Sequence, residues 1–392
     1  MGAGIFAAID IYEARISAEL GAYSDVEEVH DVPGIHDYWI AQFVMPLFAE
    51  LGIGGLDELW ERHVIEQCER RAPEPARLVS LGAGNGEGEL PLAAKLAERG
   101  LTNVELLLLE LNPVMIERAL ALAGELGLGD RVRAEHADLN TWTAHGPADI
   151  YIASHSLHHV VELEHLFDEV AHSIDPQGVL LVNDMIGRNG HVRWPEAAQI
   201  TRAIWANMPA RYRRNHYSKT IDSEHGDVDC STEGFEGIRA QDVLPLLLER
   251  FHPDVFIAFG NVIDPFIDRV YGHNFDRDEP ADAALIDTIG RLDDAALELG
   301  VLTPTHLIAS FRAQPVTCRY PARRSPERCL RPPDGPPGFE PNPELVSLTR
   351  QLKAVNRRYQ ELRARKVVRL GLKLAEQRNR LSQRGREPKA SR

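Results

Sequence analysis

The chain has 392 residues, 44% of them hydrophobic, and a formal net charge of −16. That length buries a sizeable core, the composition excludes a disordered chain, and the acidic balance disfavours a nucleic-acid substrate, whose phosphates it would repel. The four cysteines, Cys68, Cys230, Cys318 and Cys329, show neither metal spacing nor a disulfide framework. No basic stretch followed by an apolar core opens the sequence, and no run of about 18 apolar residues offers a membrane span. A cytoplasmic protein is expected.

Residues 1–74 read as a helical cap, with Ile40, Phe43, Leu47, Phe48 and Leu51 on one face. The most informative stretch follows, Ala76 to Gly88. Apolar residues run into glycines at alternate positions, and a helical pattern starts at Leu90. Strand, glycine turn, helix is the arrangement that lets backbone approach a nucleotide. The spacing of Gly82, Gly84 and Gly86 is G-x-G-x-G, and Glu87 stands where a dinucleotide loop wants its third glycine.

Asn103–Leu109 predicts a second strand, closed by Glu110 at its tip. A carboxylate there accepts hydrogen bonds from ribose hydroxyls. Asn112-Pro113 starts the next helix. Val132, Ala134 and His136 alternate with polar residues, as in a strand near the sheet edge, and Asp138 follows. Asp149–Ala153 predicts a fourth strand, ending in Ser154-His155-Ser156-Leu157-His158-His159. A helix with Leu163, Leu166, Phe167 and Val170 then leads through an Ile174–Gly178 turn into the strand Val179–Val182. A helix at Val243–Leu248, a strand at Val255–Phe259 and a last strand at His306–Phe311 complete the series. The alternation predicts an α/β fold, a doubly wound sheet.

The glycine turn, the acid-tipped second strand and the Leu-His-His tip with its Pro-x-Gly turn resemble the class I S-adenosylmethionine-dependent methyltransferases. The resemblance is strong over 75–185 and weaker to 312. It implies a mostly parallel, seven-stranded Rossmann-like sheet whose last strand inserts antiparallel, with S-adenosyl-L-methionine as cofactor. It also implies site residues. Gly82, Ala83, Gly84 and Gly86 would cradle the methionine part, Glu110 and Leu111 the ribose, and Asp138 and Leu139 the adenine, with Ser154 beside them. The overall layout is similar to bacterial surface-polysaccharide methyltransferases, which implies O-methylation of a carbohydrate or polysaccharide intermediate. A small polar metabolite as acceptor, or a catalytically reduced scaffold, stays open. A nicotinamide oxidoreductase is disfavoured by the glycine spacing.

A hydroxyl acceptor must lose a proton, and histidine titrates near neutral pH. The candidate bases are His158, then His159 and His155, with Asp184 as an alternative or as the group that orients a histidine. No metal is expected, although Asp184 with Asp264 could chelate one. The insertions 185–238 and 261–301 follow strands five and six, where acceptor pockets form. Arg211 to Tyr217 mixes cations and aromatics, which suits a carbohydrate or anionic acceptor.

Prolines recur from 313 to 343, which predicts an extended linker rather than a packed element. A helical tail over 344–392 is expected beyond it, with Leu345, Leu348, Leu352, Val355, Tyr359 and Leu362 at heptad-like steps. Residues 350–392 carry 15 basic and 3 acidic side chains. A basic amphipathic helix suits pairing with a protein helix or peripheral docking on an anionic inner-membrane surface, or packing on its own acidic domain.

Overall fold

A computed structural model describes residues 12–21, 32–333, 335 and 336. The expected tail over 344–392 lies outside the described residues. No helix among the described residues is long and apolar enough to cross a membrane.

Helix α1 (residues 12–21) is followed by α2 (Gly34–Trp39), a π-helical turn (Ile40–Val44), α3 (Met45–Glu50) and α4 (Leu56–Arg71). The wide turn changes which residues face inward. Ile35, Trp39, Val44 and Phe48 are buried, while Ile40, Phe43, Leu47 and Leu51 are only partly covered. The helical reading of this region therefore stands, but its buried face is shifted because a π turn adds a residue to the ordinary period.

The sheet begins with β1 (Ala76–Leu81), α5 (Glu89–Glu98), β2 (Val104–Glu110), α6 (Pro113–Glu125) and β3 (Val132–His136). It continues with β4 (Ala148–Ser154), α7 (Leu163–Ser173), β5 (Ile174–Met185), α8 (Pro195–Ala206) and α9 (Ala240–Arg250). The chain then forms β6 (His252–Phe259), α10 (Asp264–Ile267), α11 (Pro280–Glu298), β7 (His306–Arg312) and α12 (Pro326–Cys329). The seven strands lie in the order β3-β2-β1-β4-β5-β7-β6. All neighbouring pairs are parallel except those of β7, which runs antiparallel between β5 and β6. This is the Rossmann-like sheet expected from the sequence.

Both faces of the sheet are covered, so its central strands are mostly apolar on both sides, whereas the edge strand β3 alternates with partly exposed polar residues. Alternate side chains supply two separate cores. Leu78, Ile150, Ile152, Leu181 and Ile257 meet α4, α5, α8 and α11 on one face. Val79, Leu81, Tyr151, Leu180 and Phe256 meet α7 and α9 on the other.

The segment Ile174–Gly178, expected as a turn, is the irregular start of β5. Pairing jumps from Ala148↔Ile174 to Ile150↔Val179. Gly178 sits where a Cβ would meet the Asp149 carbonyl oxygen at 2.8 Å, so close backbone approach requires glycine there. The described part of the proline-rich segment also departs from expectation. Arg319 bonds along β6 (Arg319 N to Asp254 O, 2.8 Å). Buried Arg324 reaches Ala258 O at 3.2 Å and Asp294 at 2.6 Å. Up to Arg331, which contacts Glu196 and lies over the Trp194 ring, the segment is a strap held by arginines rather than a free linker.

Asp293 of α11 is buried and accepts N–H bonds from Asn261 (3.0 Å) and Val262 (2.8 Å). Burial, and the charge of Asp264, nevertheless push its carboxyl up to about 8. The folded chain thus keeps a proton there that an unfolded chain releases near pH 4. The group's contribution is complete below about pH 4 and is lost as pH rises through about 8. Thermal melts over that range should fall more steeply for the wild type than for Asp293→Asn. Parallel slopes would mean that Asp293 ionises normally.

Candidate functional site

The strand order reverses direction between β1 and β4, and a crevice opens beyond their carboxyl ends, as open α/β sheets provide. The pocket there has a volume of about 840 Å3. Gly82, Ala83, Gly84, Glu110, Leu111, Asp138, Leu139, Ser154, His155, His158 and His159 all line it. The sequence-derived candidates for methyl-donor binding and for catalysis thus converge on one cavity.

Two candidates stand behind the wall. Gly86 adopts φ +71°, and a Cβ on it would meet Leu90 Cδ1 at 2.7 Å, so it serves the packing of α5 on the sheet. Asp184 is buried behind His158. Within the turn, Gly82 also has a left-handed backbone (φ +71°), with Ser156 Cβ 2.7 Å from the position of its missing Cβ. Gly84 (φ +54°) faces open space.

Glu110 is fixed at the tip of β2. Its two oxygens accept the N–H groups of Gly84 and Asn112, each at 2.8 Å. Asp138 Oδ1 accepts both Asn140 N and Asn140 Nδ2 at 2.9 Å, and its Oδ2 accepts the Tyr12 hydroxyl at 2.6 Å. Tyr12 belongs to α1, so the N-terminal helix reaches the same cleft. Seven residues on, Glu19 Oε1 lies 2.7 Å from His159 Nδ1, and Glu19 Oε2 accepts Phe235 N at 3.0 Å.

The histidines form a compact group. Asp184, at the end of β5, accepts Ser156 N (2.9 Å), Leu157 N (2.8 Å) and Met185 N (2.7 Å), and pairs with His158 Nδ1 at 2.5 Å. The opposite nitrogen of His158 lies 3.4 Å from Glu236 Oε1. His191 Nε2 is 2.6 Å from the same oxygen, and His159 Nε2 is 3.5 Å from Glu236 Oε2. Three imidazole Nε2 atoms therefore converge on one carboxylate.

Burial opposes charge on His158, but Asp184 and then Glu236 overcome it and raise the imidazole to about 10. Burial likewise opposes the Asp184 anion, which His158 and the N–H donors still hold at about 2. Glu236 is held far below the usual carboxylate range, its burial outweighed by the surrounding histidines. His191 goes the other way, because burial dominates over its bond to Glu236.

His191 and Glu236 were not singled out in the sequence. His191 lies in the Gly-rich loop after β5, where its left-handed backbone (φ 54°) follows that of Gly190 (φ 67°). Glu236 lies in the loop before α9, and the two loops are tied by Gly190 N to Gly237 O at 2.7 Å. Asp264, considered beside Asp184, instead pairs with His306 at 3.2 Å and Thr305 at 2.9 Å. The Arg211–Tyr217 stretch, expected at the acceptor, turns elsewhere. Arg211 contacts Tyr212 and Asp282, and the Tyr212 ring stacks on Phe275 at 4.7 Å. Among the described residues, none of 211–217 lines the pocket.

Residues 79–178 match the family model described as a methyltransferase domain. Over that segment the chain is similar to methyltransferases, for which the sequence resemblance implies S-adenosyl-L-methionine as methyl donor. The residues present fit that donor: a glycine turn open to the cavity, with carboxylates at the tips of β2 and beyond β3. No curated protein matches the chain.

Solved structures with likeness to this chain include an S-adenosylmethionine-dependent methyltransferase from Clostridium acetobutylicum. It is 17% identical, with 33% of this chain and 54% of that one covered and a TM-score of 0.27, so the chain spans about half its length. A second is the O-methyltransferase of a trans-AT PKS multienzyme of Brevibacillus brevis in complex with S-adenosyl-L-homocysteine. It is 13% identical over 77% of this chain and 84% of that one, with a TM-score of 0.36. The mitomycin 7-O-methyltransferase MmcR is 27% identical over 33% of this chain and 39% of that one, with a TM-score of 0.25. These likenesses carry no argument about what the chain does.

Gly82→Ala combines a left-handed backbone with a clash against Ser156. It should cost about 1–3 kcal/mol of stability and weaken binding of the methyl donor. Denaturant melts and calorimetric titration read the two effects, and an unchanged melt would mean that the turn accepts a Cβ without strain.

Proposed function

We propose that the protein transfers a methyl group to a hydroxyl oxygen of a polar acceptor, with a carbohydrate or polysaccharide intermediate as the first class to test. The observation that supports this is a single cavity holding the glycine turn at one side and the His158, His159 and Glu236 group at another. When bound, the cofactor supplies a methyl carbon activated by a sulfonium.

In this reading the chain's own residues do three things. Gly82 and Gly84 let the backbone lie against the methionine part, while Glu110 and Asp138 take the ribose and the adenine. Each oxygen of Glu110 is already pinned by one N–H, which leaves a second lone pair for a ribose hydroxyl. The histidine–carboxylate group meets the acceptor oxygen as its proton leaves, and Asp184 holds His158 in one ring orientation. Alignment of acceptor and methyl carbon is a positional task, worth much of the rate in a direct displacement.

The methionine- and ribose-side roles predict that Glu110→Ala loses about 1–3 kcal/mol of affinity for the methyl donor, seen by calorimetry. Full affinity would remove Glu110 from the ribose role. His158→Ala should lower turnover about 10²–10⁴-fold and leave affinity for the methyl donor nearly intact. A loss of under about threefold would exclude it from the chemistry. For the acceptor, methyl-labelled S-adenosylmethionine and fractionated extract give a direct reading. Label in carbohydrate polymer or its lipid-linked precursor supports the proposed class, and label confined to small metabolites removes it.

A further inference from the structure

We propose that His158, His191 and Glu236 bind a divalent first-row transition-metal ion that takes the acceptor's oxygen as a further ligand. This rests on the reading of the cavity as the methyl-transfer site. The three residues come from separate places in the fold: the tip of β4, the loop after β5 and the loop before α9. Each offers one ligand atom, and these atoms lie within 4.8 Å of one another.

The spacing suits an ion. A tetrahedral centre with bonds of about 2.0–2.2 Å sets its ligand atoms about 3.4 Å apart. His158 Nε2 is already 3.4 Å from Glu236 Oε1. His191 Nε2, at 2.6 Å, needs only to move back by under about 1 Å.

The surroundings suit it as well. A metal-bound imidazole usually passes its other N–H to a carboxylate, which fixes the ring and strengthens the ligand. His158 Nδ1 does so to Asp184 at 2.5 Å, and that carboxylate is itself held by three backbone N–H groups. The backbone bond from Gly190 to Gly237 holds the His191 and Glu236 loops together. Two imidazoles and one carboxylate select ions such as Zn2+ or Fe2+ over Mg2+ or Ca2+. Three protein ligands leave a position open. His158 and Glu236 line the pocket, so that position faces the acceptor. A hydroxyl bound there becomes more acidic, which eases its loss of a proton.

The test uses the full-length protein, treated with a chelator and titrated with Zn2+ and with Co2+, whose visible absorption reports its coordination. The wild type should bind about one equivalent, with a tetrahedral Co2+ spectrum. His191→Ala and Glu236→Gln should each weaken binding by at least about tenfold, and Asp184→Asn by about 10–100-fold. Glu236→Gln keeps the side-chain shape, so it serves if His191→Ala fails to fold. No stoichiometric binding, or equal affinity in wild type and both ligand variants, overturns the proposal and leaves a hydrogen-bonded cluster. Affinity for the methyl donor is measured on the same samples. Intact affinity without metal binding overturns this inference alone, whereas its absence overturns the reading of the cavity.

Discussion

The Asp184 carboxylate is the constraint on which the site depends. It is fully enclosed, carries charge, and can be tolerated there only because four donors surround it. Three of them are backbone N–H groups. Two belong to the turn that carries the histidines away from β4 and one to β5 itself. One side chain therefore ties neighbouring parallel strands at their carboxyl ends, beside the cavity. It also dictates how His158 stands, and through His158 where Glu236 and His191 gather.

The sheet and the glycine-turn side of the cavity were legible in the sequence for simple reasons. Leu106–Leu109 and Val179–Val182 are apolar runs buried on both faces, and the G-x-G-x-G turn has few other backbone uses. Glu110 and Asp138 were readable because each follows a strand at a fixed place in the series. The turn before Val179 was harder, since β5 gains pairing through a register shift that no local pattern announces. The π turn at Ile40–Val44 similarly moved the buried face of the first helices without altering their helical composition.

The histidine–carboxylate side of the cavity was less legible because it is built by long-range contact. His191 is separated from His158 by α7 and β5, and Glu236 from His191 by α8 and a long loop. Nothing in Gly-Phe-Glu-Gly marks Glu236 as different from other loop acids. Arg211–Tyr217 misled for the opposite reason. Its composition is suggestive, but Asp282 and Phe275 absorb it into the packing of the insertion. The proline-rich strap shows the same lesson, for Arg324 and Arg331 find acids elsewhere in the fold, half-buried Asp294 and buried Glu196.

Helix α1 touches both ends of the cavity. Tyr12 holds Asp138 on one side of it, and Glu19 meets His159 on another. Seven residues are about two helical turns, so both side chains leave the same face about 10 Å apart. One short helix is therefore fastened at two points of the cavity wall, so a shift at Asp138 and a shift at His159 are felt by the same rigid element.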